Sequence, residues 1–318
     1  AVTITVTQSF SWTSTHRLTL DANLNVSFRA PVVVAGQGAV TITYNDGGTG
    51  GDLLFFDGSK LDFWDSSSSL IIQGKHYALV KDIATLAKSD ALGRLALAND
   101  YDASIDGTYS SSPVTMMFLG TFEGLGHVIS NLSIAGTGGA LFTRTSGTLR
   151  DLGISNLSIN GTGDGAALVD RDYGVTIIGC YASGTIVAGG AAGGLVATVG
   201  AVGSSRLISR SHADVSITVP AYGLAGGLAG AYGASITDSY ATGTITGGDH
   251  ALLGGLVGEP VPSYISQSFA NVAVTGGTSS TVGGFVGSDG YGSQITNSYS
   301  TGAVKVGPDS KIGGFLGQ

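Results

Sequence analysis

The sequence predicts an all-β chain built as a single-stranded parallel β-helix, or β-solenoid, with coils of about 29 residues and one short helix. Three observations carry that prediction. The stretch ITDSYATGTITGGDHALLGGLVG at 236–258 recurs almost letter for letter as ITNSYSTGAVKVGPDSKIGGFLG at 295–317. Within a repeat, apolar and polar residues alternate, as in Thr244, Ile245, Thr246 and Ser216, Ile217, Thr218, which is strand periodicity. Finally, 53 of 318 residues are glycine while only 11% are charged and 42% are hydrophobic, so the chain is too apolar for disorder and its glycine must serve structure.

Two columns define the repeat. Leu141, Leu168, Leu195, Leu228, Leu256, Phe285 and Phe315 occupy the apolar position of the GGLVG element, at spacings of 27, 27, 33, 28, 29 and 30. Cys180, Ser211, Ser239, Ser268 and Ser298 keep step at 31, 28, 29 and 30, followed by Tyr181, His212, Tyr240, Phe269 and Tyr299. No segment of the array holds an i, i+3, i+4 pattern over ten residues, which excludes helical repeats. Each coil is expected to contain three short strands and three turns, with glycines where φ is positive or where coils approach closely. The ring column is expected to stack as a ladder rather than to line a groove, and Cys180, in the seat of a serine, to be a small buried residue.

Along the chain, residues 1–76 read as solenoid coils of a different sequence type. Residues 3–43 alternate with period 2 but lack GGLVG, and LLFFDGSKLDFWD at 53–65 offers one more coil. Residues 77–113 form a connecting segment. Ile83, Leu86 and Ala87 have helical spacing there, with Asp82 before them and Gly93 after, which predicts a helix near 82–91 that covers the side of the solenoid or the seam between coil types. Residues 114–318 are the repeat solenoid, and GGFLGQ stops partway through a unit. Both ends read as cuts in a longer chain, and an open last coil predicts end-to-end self-association.

A net charge of −8 with 14 scattered Lys and Arg excludes nucleic acid and anionic membranes as partners, and no apolar run approaches the roughly 20 residues of a membrane span. A single cysteine leaves no internal disulfide. The five histidines, at 16, 76, 127, 212 and 250, show no ligand spacing and read as surface or turn residues. Neither a nucleophile elbow nor a phosphate loop occurs, which argues against an enzyme.

Three acidic groups stand out, and each has two readings. Asp57, Asp62 and Asp65 surround Trp64, and Phe55, Phe56, Phe63 and Trp64 either pack inside or offer ring faces to a sugar. Trp64, Asp62 and Asp65 are thus the candidate ligand-binding residues. Asp100, Asp102 and Asp106 are the candidate metal group, because closely spaced oxygen donors suit calcium, the one cofactor considered. Asp164, Asp170 and Asp172 flank a single strand. In all three groups the alternative is aspartate bonding its own turn.

FLGTFEGLGHVISNLSI at 118–134, followed by GGLAG, GGLVG, GGFVG and GGFLG, resembles the lead-in and repeats of GLUG-motif bacterial surface exoproteins over about residues 77–318. Residues 11–42 are similar to the coils of filamentous-haemagglutinin-like exoproteins. The resemblance implies a right-handed β-helical passenger exported by an outer-membrane transporter in two-partner secretion. It implies an adhesin displayed at, or secreted from, the surface of a Gram-negative bacterium. The expected function is a structural, adhesive rod segment binding glycans or proteins of host cells, other bacteria or matrix. The alternative is a polysaccharide-binding or polysaccharide-degrading β-helix.

Overall fold

Stacked parallel strands account for nearly all regular structure in the computed structural model, which describes residues 2–318 except 49, 57, 201–205, 234 and 262. The strands form a β-solenoid. They fall into two units, the first comprising Ala1–Tyr101, Leu119–Ile129 and Leu149–Gly153, the second Asp102–Phe118, Ser130–Thr148 and Ile154–Gln318.

In the first unit, Ile4–Val6, Val26–Phe28 and Leu53–Phe55 stack in parallel, as do Phe10–Trp12, Val32–Val34 and Leu61–Phe63. A third stack runs Arg17–Asp21, Ala39–Thr43, Ser69–Ile72. Period 2 sends Val26, Phe28, Val32, Val34, Leu61 and Phe63 into one fully buried core. The chain then reverses. Gln73 and Gly74 take φ values of 51° and 69°, and Lys75–Val80 pairs antiparallel with Ser69–Ile72. Two central residues at positive φ make the tight hairpin turn whose twist suits paired strands.

Lys75–Val80 next pairs in parallel with Arg94–Leu97, and a parallel connection needs a crossover. The helix Ile83–Ala87 supplies it, burying Ile83 and Leu86 against this unit while the Asp82 carboxylate accepts the Thr85 N–H at 2.6 Å. The helix is shorter than the 82–91 its apolar spacing predicts. The Ser89 hydroxyl donates to the Thr85 carbonyl at 2.7 Å, and Asp90 accepts the Leu92 N–H at 3.0 Å to form a turn of its own, so the last turn is diverted before Gly93.

The second unit holds the repeats. Four of its long strands, Tyr181–Val187, His212–Val219, Tyr240–Gly247 and Phe269–Gly276, stack in register, with Ala182, Ala213, Ala241 and Ala270 aligned. A coil contains four strands rather than the expected three. One coil runs Ser235–Thr237, Tyr240–Gly247, Leu252–Gly254 and Val257–Pro260. The extra break falls inside GGLVG, so this element is itself a bend between two strands. Leu141, Leu168, Leu195, Leu228, Leu256 and Phe285 are fully buried, and Phe315 is half-buried.

The glycines of that bend are there for close approach, not for positive φ. A Cβ on Gly254 would sit 1.8 Å from the Val257 carbonyl oxygen, and one on Gly255 would sit 2.0 Å from that of Gly284 in the next coil. Positive φ falls instead on Arg210, Asp238, Gln267 and Asn297, at 48–51°, each immediately before a serine of the Ser211 column. The backbone N–H groups of Arg210, Asp238 and Gln267 donate into the following coil, to the carbonyls of Thr237, Ser266 and Thr296 at 3.1–3.3 Å, which helps hold side-chain-bearing residues in the left-handed region.

The serine column is a hydrogen-bonded ladder. Ser211 N–H donates to Ser239 Oγ at 3.2 Å, and Ser239 N–H to Ser268 Oγ at 3.3 Å, while each hydroxyl donates to the carbonyl two residues earlier at 2.8 Å. Cys180 is buried at the head of this ladder, its N–H on Ser211 Oγ at 3.1 Å. Beside it the rings of Tyr181, His212, Tyr240, Phe269 and Tyr299 stack at 4.6–5.3 Å, within 8° of parallel.

Candidate functional site

The strand Leu61–Phe63 buries Leu61 and Phe63 completely, which turns Asp62 to the outside. Trp64 follows on the outward phase and is 65% exposed, the one member of the aromatic group that presents a free ring. Phe63 is core, Phe55 stacks on Phe28 at 5.0 Å, and Phe56 lies under the Arg29 guanidinium at 4.5 Å.

Next to Asp62 stands a charged group that sequence reading did not assemble. His127 is fully buried, with Nε2 2.9 Å from the Leu61 carbonyl and Nδ1 3.1 Å from Asp100 Oδ1 and 4.0 Å from Asp62 Oδ1. Lys60 Nζ reaches Asp100 Oδ2 at 2.5 Å, and the Val128 N–H donates to Asp100 Oδ1 at 3.1 Å. His127 is thus a core residue, not the surface or turn residue expected. It shares the inward phase of Ile129, and that period-2 phase is the signal that would have placed it.

The two carboxylates here are pushed in opposite directions. Burial alone would raise Asp100, but hydrogen bonds from His127, Lys60 and Val128 hold it well below the usual carboxylate range. Asp62 has fewer such partners, so burial dominates and lifts it, with the charges of His127 and Lys60 opposing. Opposite shifts in neighbouring carboxylates are the pattern of an acid and a base. An open hollow of about 290 Å³ lies elsewhere in this unit, lined by Phe10, Trp12, Ser14, His16, Arg17 and Leu18.

The other predicted carboxylates are engaged singly. Asp65 accepts the Ser67 N–H at 2.8 Å and its hydroxyl at 2.7 Å, which keeps it ionised at the head of its own turn. Asp57 lies outside the described residues. Asp102 caps the 3-10 turn Ala103–Asp106 and accepts Asn131 Nδ2 at 2.7 Å, while Asp106 accepts the Tyr109 hydroxyl at 2.6 Å. Asp100, Asp102 and Asp106 therefore make no common donor set, and among the described residues no three His, Cys, Asp or Glu side chains do. In the third group, Asp172 is buried on Arg206 Nε at 2.7 Å and Asp164 accepts the Ala191 N–H at 2.8 Å. Asp170 is pushed up to about 6 by burial and the charge of Asp164.

The GLUG motif model matches residues 221–246, which take in the Tyr222 corner and all but the last residue of the strand Tyr240–Gly247. Halomucin from Haloquadratum walsbyi is 32% identical over 176 residues, 52% of this chain. The chain spans only 2% of the length of halomucin. A solved structure from Bacteroides ovatus, a candidate immunoglobulin A1 protease, superposes with a TM-score of 0.60 at 22% identity, covering 74% of this chain and 84% of that one. That likeness is one of fold. No helix among the described residues is long and apolar enough to cross a membrane. Motif and halomucin likeness are both in keeping with a protein of the cell surface or its surroundings. The chain is a β-solenoid that carries a GLUG motif in its repeat unit.

Proposed function

We propose that this chain is a structural and adhesive segment of an extracellular surface protein, without catalytic activity of its own. The observation that carries the reading is the register of the second unit. Strand, serine and ring ladders repeat coil after coil, which is what a load-bearing spacer requires and what a reaction centre does not. The first unit supplies a surface for contact, where Trp64 offers an open ring on the outward phase that it shares with Asp62, and Asp62 belongs to the charged group with His127, Asp100 and Lys60. Ring faces with adjacent hydrogen-bonding groups suit the apolar faces and hydroxyls of a surface glycan. Export through an outer-membrane transporter and display on a Gram-negative bacterium belong to the same proposal and rest on the resemblance alone.

A glycan array probed with the chain and with Trp64→Ala tests the contact surface. Binding to a defined glycan class that Trp64→Ala abolishes is expected, and equal binding by both would move the contact elsewhere. The second reading, polysaccharide cleavage, is favoured by the opposite shifts of Asp62 and Asp100. Product release from polysaccharides that Asp62→Asn abolishes would replace the adhesive reading with that one.

A further inference from the structure

In the first unit one guanidinium faces three carboxylates. Arg150 Nη2 lies 2.6 Å from Asp52 Oδ1, and its Nε lies 3.5 Å from Glu123 Oε2 and 3.7 Å from Asp151 Oδ2. The side chains of Glu123 and Asp151 are 2% and 7% exposed. Asp151 sits at a left-handed corner with φ 48°, the conformation that in the second unit carries the exposed Arg210, Asp238, Gln267 and Asn297. Here the same corner delivers a carboxyl group to the interior.

If all three carboxylates were ionised, the group would hold two surplus negative charges away from water, a state that buried sites avoid by neutralising one member. Asp52 has the short contact with Arg150 and accepts the Leu53 N–H at 2.8 Å, so its charge is matched. Glu123 accepts the Leu125 N–H at 3.3 Å. Asp151 Oδ2 is buried and accepts no hydrogen bond from the protein, so an ionised Asp151 would leave that oxygen unmatched. Asp151 is therefore the member that takes the proton, and Glu123 the one positioned to accept its hydrogen bond.

We infer that the folded first unit holds one proton between Asp151 and Glu123, and that this proton makes the unit a latch that loosens as pH rises. Burial pushes both carboxyls above their ordinary range; the charge of Glu123 adds to the effect on Asp151, while that of Arg150 opposes it in each. The remaining groups facing the pair do not titrate in its place. Burial raises the Tyr44 phenol, and burial with the charge of Glu123 pushes Tyr77 up to about 12. Arg150 remains cationic, the charges of Glu123, Asp151 and Asp52 outweighing its burial.

The sign follows from which state holds more protons. An unfolded Asp or Glu releases its proton near pH 4, whereas the folded pair keeps one to higher pH. Between those two values the folded state binds the extra proton, so this group's stabilisation is complete only below about pH 4 and is lost as pH rises toward the value at which the folded pair releases its proton. For one proton the unfolding equilibrium constant rises up to tenfold per pH unit, then levels off.

The test is urea unfolding of the full chain across roughly pH 5 to 9, followed by tryptophan fluorescence, because both tryptophans, Trp12 and Trp64, lie in this unit. Asp151→Asn is the comparison, since asparagine tolerates a left-handed corner and its amide donates permanently where the acid donates through its proton. Relative to Asp151→Asn, the native chain should lose up to tenfold in its folding equilibrium per pH unit as pH rises from about 5, until the folded pair releases its proton. Equal pH slopes in the two proteins would overturn the inference. Should the variant not fold, infrared spectroscopy of the native chain decides. A protonated carboxyl band at neutral pH that disappears on unfolding supports the shared proton, and the absence of that band from the folded chain refutes it.

Discussion

The His212 imidazole lies 4.6 Å from the ring of Tyr240, within 7° of parallel, and a second ring, Tyr181, covers its other face at 5.3 Å. Burial holds the imidazole below its ordinary range, with the charge of Asp214 opposing. A histidine lowered in the folded state binds fewer protons there than when unfolded, so stability falls as pH drops below about 6.5 and levels once the folded value is passed. The thermal midpoint of the second unit should fall between pH 7.5 and 5, and His212→Phe should flatten that dependence. An unchanged dependence in the variant would place the acid-sensitive group elsewhere.

Gly254 should not tolerate a methyl group. Its Cβ would meet the Val257 carbonyl oxygen at 1.8 Å and the Gly287 nitrogen at 2.6 Å, both backbone atoms, whereas a Cβ on Gly290 meets nothing within 4 Å. Gly254→Ala is expected to cost about 1–3 kcal/mol or more, as overpacking does, and Gly290→Ala less than about 0.5 kcal/mol. Chemical denaturation of the two variants measures the contrast.

Leu256 is fully buried and Thr244 faces out, 3.0 Å from the Ser216 hydroxyl. Leu256→Asp puts an unpaired charge into the core and should cost more than about 4 kcal/mol, enough to fray the array, while Thr244→Lys stays within about 0.5 kcal/mol. Equal losses in circular dichroism melts would overturn this assignment of inner and outer faces.

Cys180 heads the serine ladder with a weaker donor. Its Sγ is 3.6 Å from the Ile178 carbonyl, where the serines below reach theirs at 2.8 Å. Cys180→Ser should stabilise the second unit by about 0.5–1.5 kcal/mol, the net value of one hydrogen bond. A destabilised variant would mean that the thiol is held by packing that an oxygen cannot replace.

The solenoid was legible because its determinants are local and repeated. Alternation in Thr244, Ile245, Thr246 states which side chain is buried, and the spacing of Leu228 and Leu256 states which residues are stacked. The Gln73–Gly74 reversal was legible in principle, as a two-residue turn between two apolar runs, but it is single and the array directs attention to repeats. Four strands per coil could not be counted, because the bend inside GGLVG occupies two residues that read as strand. The charged sites were the least legible. Asp52 and Arg150 are 98 positions apart, and Leu61 and His127 are 66 apart, so only folding brings them together. Asp100, Asp102 and Asp106 are close in sequence, and each is taken by a different partner.

The serine ladder has a direction. Each rung sends its N–H forward to the hydroxyl of the coil that follows, from Ser211 to Ser239, from Ser239 to Ser268 and from Ser268 to Ser298. A coil therefore cannot complete its own hydrogen bonding; its successor completes it. During synthesis, which delivers the amino-terminal coils first, the newest finished loop always holds one donor without its acceptor until the next loop arrives. Assembly along this column is a relay in which order is passed from later residues back to earlier ones, so the maturation of each coil trails its own appearance by one full circuit of the chain.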